Sequence, residues 1–178
     1  KGLKSISKSR VNPDYQSQNI KQQAGFSAEV KSIARKNAQN IIDGKSNKFI
    51  RTDDFGNVND PLYDLIELDS DGQQIFGTGS QMKFVGQTPE DLLAKLSSRK
   101  FQKYLDADAI LDIADDDYDL LMGINGNGGF IDEKIFLLQK QLTTAEQSGD
   151  NEISTQKKAQ IAKLQKIKKN LRKSLIIS

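Results

Sequence analysis

Four residues have types and spacing that could do chemistry together: Glu29, Asp64, Gln81 and Lys83. Gln81 and Lys83 are two apart in SQMKFVG, so on a strand they project from one face about 7 Å apart while Met82 and Phe84 project from the other. An oxygen ligand and an ammonium then share one wall. Asp64, in PLYDLIEL, alternates with Ile66 and Leu68 and points toward a partly apolar surface, where a carboxylate is costly unless something pairs with it. A metal ion would provide that pairing. Magnesium (or manganese) suits the set, because it prefers hard oxygen donors and needs only one or two carboxylates plus substrate phosphate. The Gln81 amide carbonyl contributes an oxygen but no charge, which places more weight on Glu29. In such a site the cation acidifies the attacking water, and Lys83 orients that water or stabilises the charge developing on phosphorus.

Composition narrows the alternatives. The chain has no histidine and no cysteine, which removes Ser-His-Asp hydrolysis, imidazole acid-base catalysis, thiolate nucleophiles and His or Cys zinc sites. Carboxylates, lysine and an oxygen-liganded metal remain. Each residue also has an ordinary structural role open to it. Glu29 could be a surface helix residue paired to Lys36 or another base. Asp64 could be a strand-start acid and Lys83 an edge-strand lysine extending its stem over the sheet. The alternating acids of Asp115 to Asp119 resemble a calcium loop, but Leu120 stands where glycine is needed and Gly126 where a bidentate Glu is needed, so they read as a solvated acidic turn. The glycines of GINGNGG lack a following Gly-Lys-Ser/Thr and read as a hinge.

Elements must position these residues. Phe26, Val30, Ile33, Ala34, Ala38, Ile41 and Ile42 recur at steps of three and four and end at Gly44, which predicts an amphipathic helix from 24 to 42 carrying Glu29. Phe49 and Ile50 suggest a short strand, followed by turn residues from Asp54 to Pro61. Residues 62–68 and 80–85 read as an antiparallel pair. A tight turn at Asp71-Gly72, with Ser70 opposite Gln73, places Asp64 opposite Gly79. For Asp64 to face Lys83, about four residues must be absorbed, by a bulge or wider loop at Gly77 and Gly79. Thr88-Pro89-Glu90-Asp91 opens a helix expected to run to about Tyr104, and 109–113 reads as a further strand. Beyond the glycines, Ile131, Ile135, Leu138, Leu142 and Ala145, then Ile161, Leu164, Lys168, Leu171 and Leu175, predict an antiparallel helical hairpin.

The order helix Glu, strand Asp, then polar-X-Lys on the next strand resembles the PD-(D/E)XK (restriction-endonuclease-like) nuclease superfamily over roughly residues 24–104. Glu29 in GFSAEVKSIA, Asp64 in PLYDLIEL, and Gln81 with Lys83 in SQMKFVG match its motif residue by residue. Gln81 departs from the usual Glu or Asp, a QXK variant that also occurs in the superfamily. The resemblance implies an α/β (α+β) fold with a small mixed sheet flanked by helices. It implies a metal site of Glu29, Asp64 and Gln81, with Lys83 completing the catalytic set, and hydrolysis of nucleic acid, DNA before RNA. A compact histidine-free nuclease core with polar flanks is also similar in style to bacterial polymorphic-toxin nuclease domains. That likeness implies an antibacterial effector delivered from a larger bacterial protein into a target cell, and a cognate immunity protein as partner. The competing reading is a non-catalytic nucleic-acid-binding or protein-interaction module on the same fold.

With 178 residues the chain can bury roughly 70% of its unfolded surface, enough for one core plus an appendage. The expected division is a mobile basic lead-in (1–22), a nuclease-like core (23–122), and a glycine hinge with a helical hairpin whose second helix is basic (123–178). The net charge of +2 conceals seven acids and no base over 104–121, and eight bases and no acid over 155–178. Lys157, Lys158, Lys166, Lys169, Arg172 and Lys173 of that stripe either track phosphates or dock on an acidic patch, the chain's own included. No apolar run approaches the ~20 residues of a membrane span, so a soluble protein is expected. The start at Lys1 rather than Met suggests a piece of something longer.

Overall fold

The computed structural model describes residues 16–57, 59–83 and 88–174. A long helix, α1 (Gln16–Ile42), leads into β1 (Lys48–Arg51), a single helical turn α2 (Thr52–Phe55), β2 (Leu65–Leu68) and β3 (Ser80–Met82). Helices α3 (Pro89–Leu96) and α4 (Gln102–Asp106) precede β4 (Ile110–Ile113). Then come α5 (Asp115–Met122), the hairpin α6 (Phe130–Ser148) and α7 (Asn151–Asn170), and β5 (Leu171–Lys173). The strands form one mixed sheet in the order β1-β2-β3-β4-β5. β2 runs antiparallel to β1 and to β3, while β3, β4 and β5 are parallel. The chain is therefore a mixed α/β fold with a small sheet, as the patterning predicts.

One face of the sheet carries the apolar core. Leu111 and Ile113 of β4 and Leu171 of β5 pack with Leu92, Leu96, Leu105, Leu121, Ile131, Leu164 and Ile167 from five helices. Strand alternation turns Asp112 to the other face, where α1 lies, and there the packing is polar. Lys36 meets the fully buried Asp112 at 2.6 Å, Arg51 meets Glu29 at 2.9 Å, and Ser32 donates to the carbonyl of Ser174 at 3.2 Å. Asn37 and Asn40 bond the backbone at Phe49 and Asn47. The apolar stripe of α1 is therefore only partly its inward face: Phe26, Val30 and Ile33 are partly buried. Ala34, Ala38, Ile41 and Ile42 are exposed while Ser32 and Asn40 are buried, because the charged groups on this face of the sheet need partners that an apolar stripe cannot supply.

Other boundaries move for identifiable reasons. α1 starts at Gln16, within the stretch expected as a lead-in to residue 22, where Gln and Lys are good helix formers; residues 1–15 lie outside the described residues. The helix opening at Thr88, whose hydroxyl caps the Asp91 amide, stops at Leu96 instead of Tyr104. The break resets the helical phase, so that Phe101, Tyr104 and Leu105 face the same core as Leu92, Leu93 and Leu96. The acidic turn is the helix α5, with Asp115, Asp116 and Asp117 in its first turn, where the macrodipole favours anions. The glycine run after it is a tight crossing: a Cβ on Gly123 or Gly129 would collide with the other limb's backbone. The expected basic helix ends at Asn170, and Leu171–Lys173 are a strand hydrogen-bonded to β4. Leu171 is fully buried beside Leu111, a gain that continued helix would forgo. Phe84 and Val85, expected to extend β3, and Leu175 lie outside the described residues.

Candidate active site

The cleft forms where β2 and β3 separate. β2 begins at Leu65 opposite Ser80, and Asp64, one residue earlier, donates its main-chain N–H to the Ser80 carbonyl at 2.9 Å. The next N–H of β3 that points toward β2 belongs to Met82. Its acceptor is the Asp64 carboxylate, at 2.8 Å, which stands where a β2 carbonyl would be if the strand continued. An acceptor of a strand N–H lies near the plane of the sheet, so this carboxylate fills the gap between the strands. The amide of Gln81 donates to the same carboxylate oxygen.

The register falls between the two alternatives drawn from the turn. Leu68 bridges Gln74 and Leu65 pairs with Ser80, so residues 74–80 cover what 65–68 cover on β2. The surplus is taken up in a loop around Gly77, whose φ is +81°. Asp64 consequently faces Gln81, not Lys83. Gly79 closes the loop against Tyr63, where a Cβ would approach the ring to 2.5 Å. Lys83 continues toward β4, donating its main-chain N–H to the Asp112 carbonyl at 2.9 Å, and its ammonium lies 5.2 Å from the centre of the Tyr104 ring.

Glu29 approaches from α1. It lines, with Asp64, Arg51, Asp53, Asp60 and Tyr63, a cleft of about 300 Å³. Arg51 is buried and bonds Glu29 on one side and Asp53, at 2.8 Å, on the other. Asp60 caps the turn by accepting from the N–H groups of Leu62 and Tyr63. Burial, reinforced by repulsion from Asp64 and opposed by Arg51, pushes the Glu29 carboxyl up to about 7. Burial also raises Asp64, against the Met82 N–H, the charge of Lys83, the Gln81 amide and Arg51.

Two of the four expected residues, Glu29 and Asp64, line this cleft; Gln81 is buried and bonded to the Asp64 carboxylate, and Lys83 is near enough to act on the Asp64 charge. As metal ligands they fit in part. Glu29 and Asp64 are an acidic pair whose anionic forms are disfavoured by burial, the charge state a hard cation relieves. Gln81 spends its N–H on Asp64, which makes it an orienting partner of that carboxylate. Among the described residues no three carboxylates converge closely enough to hold a cation by themselves. Arg51, Asp53 and Asp60 are absent from the set expected from sequence. Their signal was the density of Asp and Asn in RTDDFGNVNDP, which reads equally well as turn chemistry.

The basic stripe is largely engaged within the molecule. Lys166 reaches Asp108 at 3.5 Å, Lys168 reaches Asp132 at 2.6 Å and Lys173 reaches Asp119 at 2.8 Å. Lys158 pairs with Glu146 across the hairpin, and Arg172 bonds the carbonyls of Lys169 and Leu171. Of the two roles open to it, docking on the chain's own acidic segment is realised at Asp108 and Asp119. No helix among the described residues is long and apolar enough to cross a membrane. Comparison of the chain with protein-family models, with curated proteins and with solved structures finds no match.

Proposed function

We propose that the chain is a metal-dependent nuclease of the PD-(D/E)XK type, a DNA endonuclease hydrolysing phosphodiester bonds. The observation that carries the reading is the placement of Asp64, whose carboxylate sits in the gap between β2 and β3, bonded to Gln81 and facing Glu29 across one cleft. In this reading Glu29 and Asp64 hold a magnesium or manganese ion. Such an ion, when bound, supplies activation of water and neutralisation of charge at the phosphate. Gln81 fixes the Asp64 carboxylate, and Lys83 offers an ammonium to charge building on the phosphate oxygens. An antibacterial effector with an immunity protein as inhibitor remains the biological setting that the sequence resemblance implies.

One observation favours a second reading, a nucleic-acid-binding module without catalysis. The Gln81 N–H satisfies Asp64 directly, so the site has a stable arrangement that needs no cation. Supercoiled plasmid incubated with and without magnesium or manganese separates the two. The nuclease reading expects metal-dependent nicking that falls at least about 100-fold in Asp64→Ala and Lys83→Ala. Plasmid that is retarded in a gel but left intact by the wild type would select the binding module.

A further inference from the structure

Lys103, which the nuclease motif does not include, shares an aromatic ring with Lys83. The ammonium of Lys83 lies 5.2 Å from the centre of the Tyr104 ring and that of Lys103 lies 4.8 Å from it. Tyr104 is itself buried, held by an edge-to-face contact with Phe101 at 5.6 Å. Two like charges are therefore gathered on one fixed ring. Neither lysine is in an ion pair among the described residues, in contrast to Lys158, Lys166, Lys168 and Lys173 of the C-terminal stripe. Lys103 is exposed and also donates to the Pro61 carbonyl at 2.7 Å, on the segment that supplies Asp60 and Tyr63 to the cleft. The acidic side of the cleft, with four carboxyl groups from Glu29, Asp53, Asp60 and Asp64 against Arg51 and the flanking Lys83, repels a polyanion. A pair of cations outside any ion pair among the described residues, on a rigid ring at its border, supplies the opposite field.

We propose that Lys103, seated beside Lys83 on Tyr104, binds a backbone phosphate of the nucleic acid next to the one that Lys83 addresses, with Lys103 a binding residue. This rests on the nuclease reading for its position relative to the cut, but the binding itself can be measured without cleavage. A short fluorescein-labelled DNA duplex and its RNA counterpart, titrated in EDTA at several salt concentrations, give affinity and its salt dependence. Each phosphate contact contributes about 0.9 to the slope of log K against log salt. Lys103→Gln should weaken binding and reduce that slope by about one on DNA, RNA or both, Lys103→Arg should keep the slope, and Lys140→Gln should match the wild type. A slope unchanged in Lys103→Gln on both nucleic acids overturns the inference, since a lysine serving only to anchor Pro61 would alter stability without altering charge release. Where Lys103→Gln fails to fold, acetylation of wild-type lysines with and without saturating duplex decides: Lys103 protected relative to Lys140 supports the subsite, and equal labelling overturns it. Absence of metal-dependent cleavage by the wild type would count against the nuclease reading and leave these slopes to be read on their own.

Discussion

A single carboxylate oxygen of Asp64 accepts both the Gln81 side-chain amide and the Met82 main-chain N–H. The second bond holds Asp64 in the strand gap, and the first is what a glutamate at 81 would destroy. Gln81→Glu places two carboxylates in contact, which disfavours the anionic pair unless a cation lies between them. The variant should melt below the wild type in EDTA and gain more in Tm from manganese, read by thermal melting across a manganese titration. Equal manganese-induced shifts in both proteins would show that residue 81 does not face the ion.

The Glu29 carboxyl titrates at about 7 rather than the ordinary 4.5. Between those values the folded protein holds a proton that the unfolded chain has released, so this group's contribution is full below about 4.5 and is lost as pH rises through about 7. Glu29→Gln should therefore gain stability relative to the wild type across that window. Parallel melting profiles would mean that Glu29 is solvated like a surface acid. If the nuclease reading holds, magnesium-dependent cleavage should climb over the upper part of the same window, as Glu29 becomes an anion able to ligate.

Lys36 and Asp112 meet at 2.6 Å beneath α1 with Asp112 fully buried. Removing one partner strands the other charge, so Lys36→Met or Asp112→Leu should each cost about 3–5 kcal/mol in urea unfolding. The double variant should recover most of it. Costs that simply add would show that the two charges do not depend on each other.

Gly79→Ala would drive a methyl into the Tyr63 ring. The expected cost is about 1–3 kcal/mol, with a fall in metal-dependent cleavage because Tyr63 adjoins Asp64. Gly126→Ala, which meets no such neighbour but has a φ of +77°, should lower stability through backbone strain alone and leave cleavage per folded molecule unchanged.

The strands around Asp64 and Gln81 were legible because hydrophobic alternation and the Asp71-Gly72 turn both act locally. The placement of Asp64 opposite Gln81 was not, because it depends on how many residues the loop at Gly77 takes up. The periodicity of α1 marks it as a helix, but only the Phe26, Val30 and Ile33 part of its apolar stripe is partly buried, while Ala34, Ala38, Ile41 and Ile42 are exposed. Its apolar spacing is real, but Asp112 and Arg51, 76 and 22 residues away from their helix partners, decide which face goes inward. Arg51 shows the same limit: its type and position are visible in RTDDFG, but its burial between Glu29 and Asp53 comes from the packing of α1 on β1. The strand at Leu171 was hidden within a continuing heptad pattern.

β5 joins the sheet by pairing residues 171–173 with 111–113, two segments separated by a complete helical hairpin. Such a closure is a late event in folding, because the entropy of bringing distant segments together must be met before the pairing repays it. Until it happens, β4 presents a bare parallel edge, the kind of surface on which chains join one another. The hairpin therefore also acts as a tether of fixed length, and shortening α6 and α7 by unequal numbers of turns would misplace the last strand while leaving both helices intact.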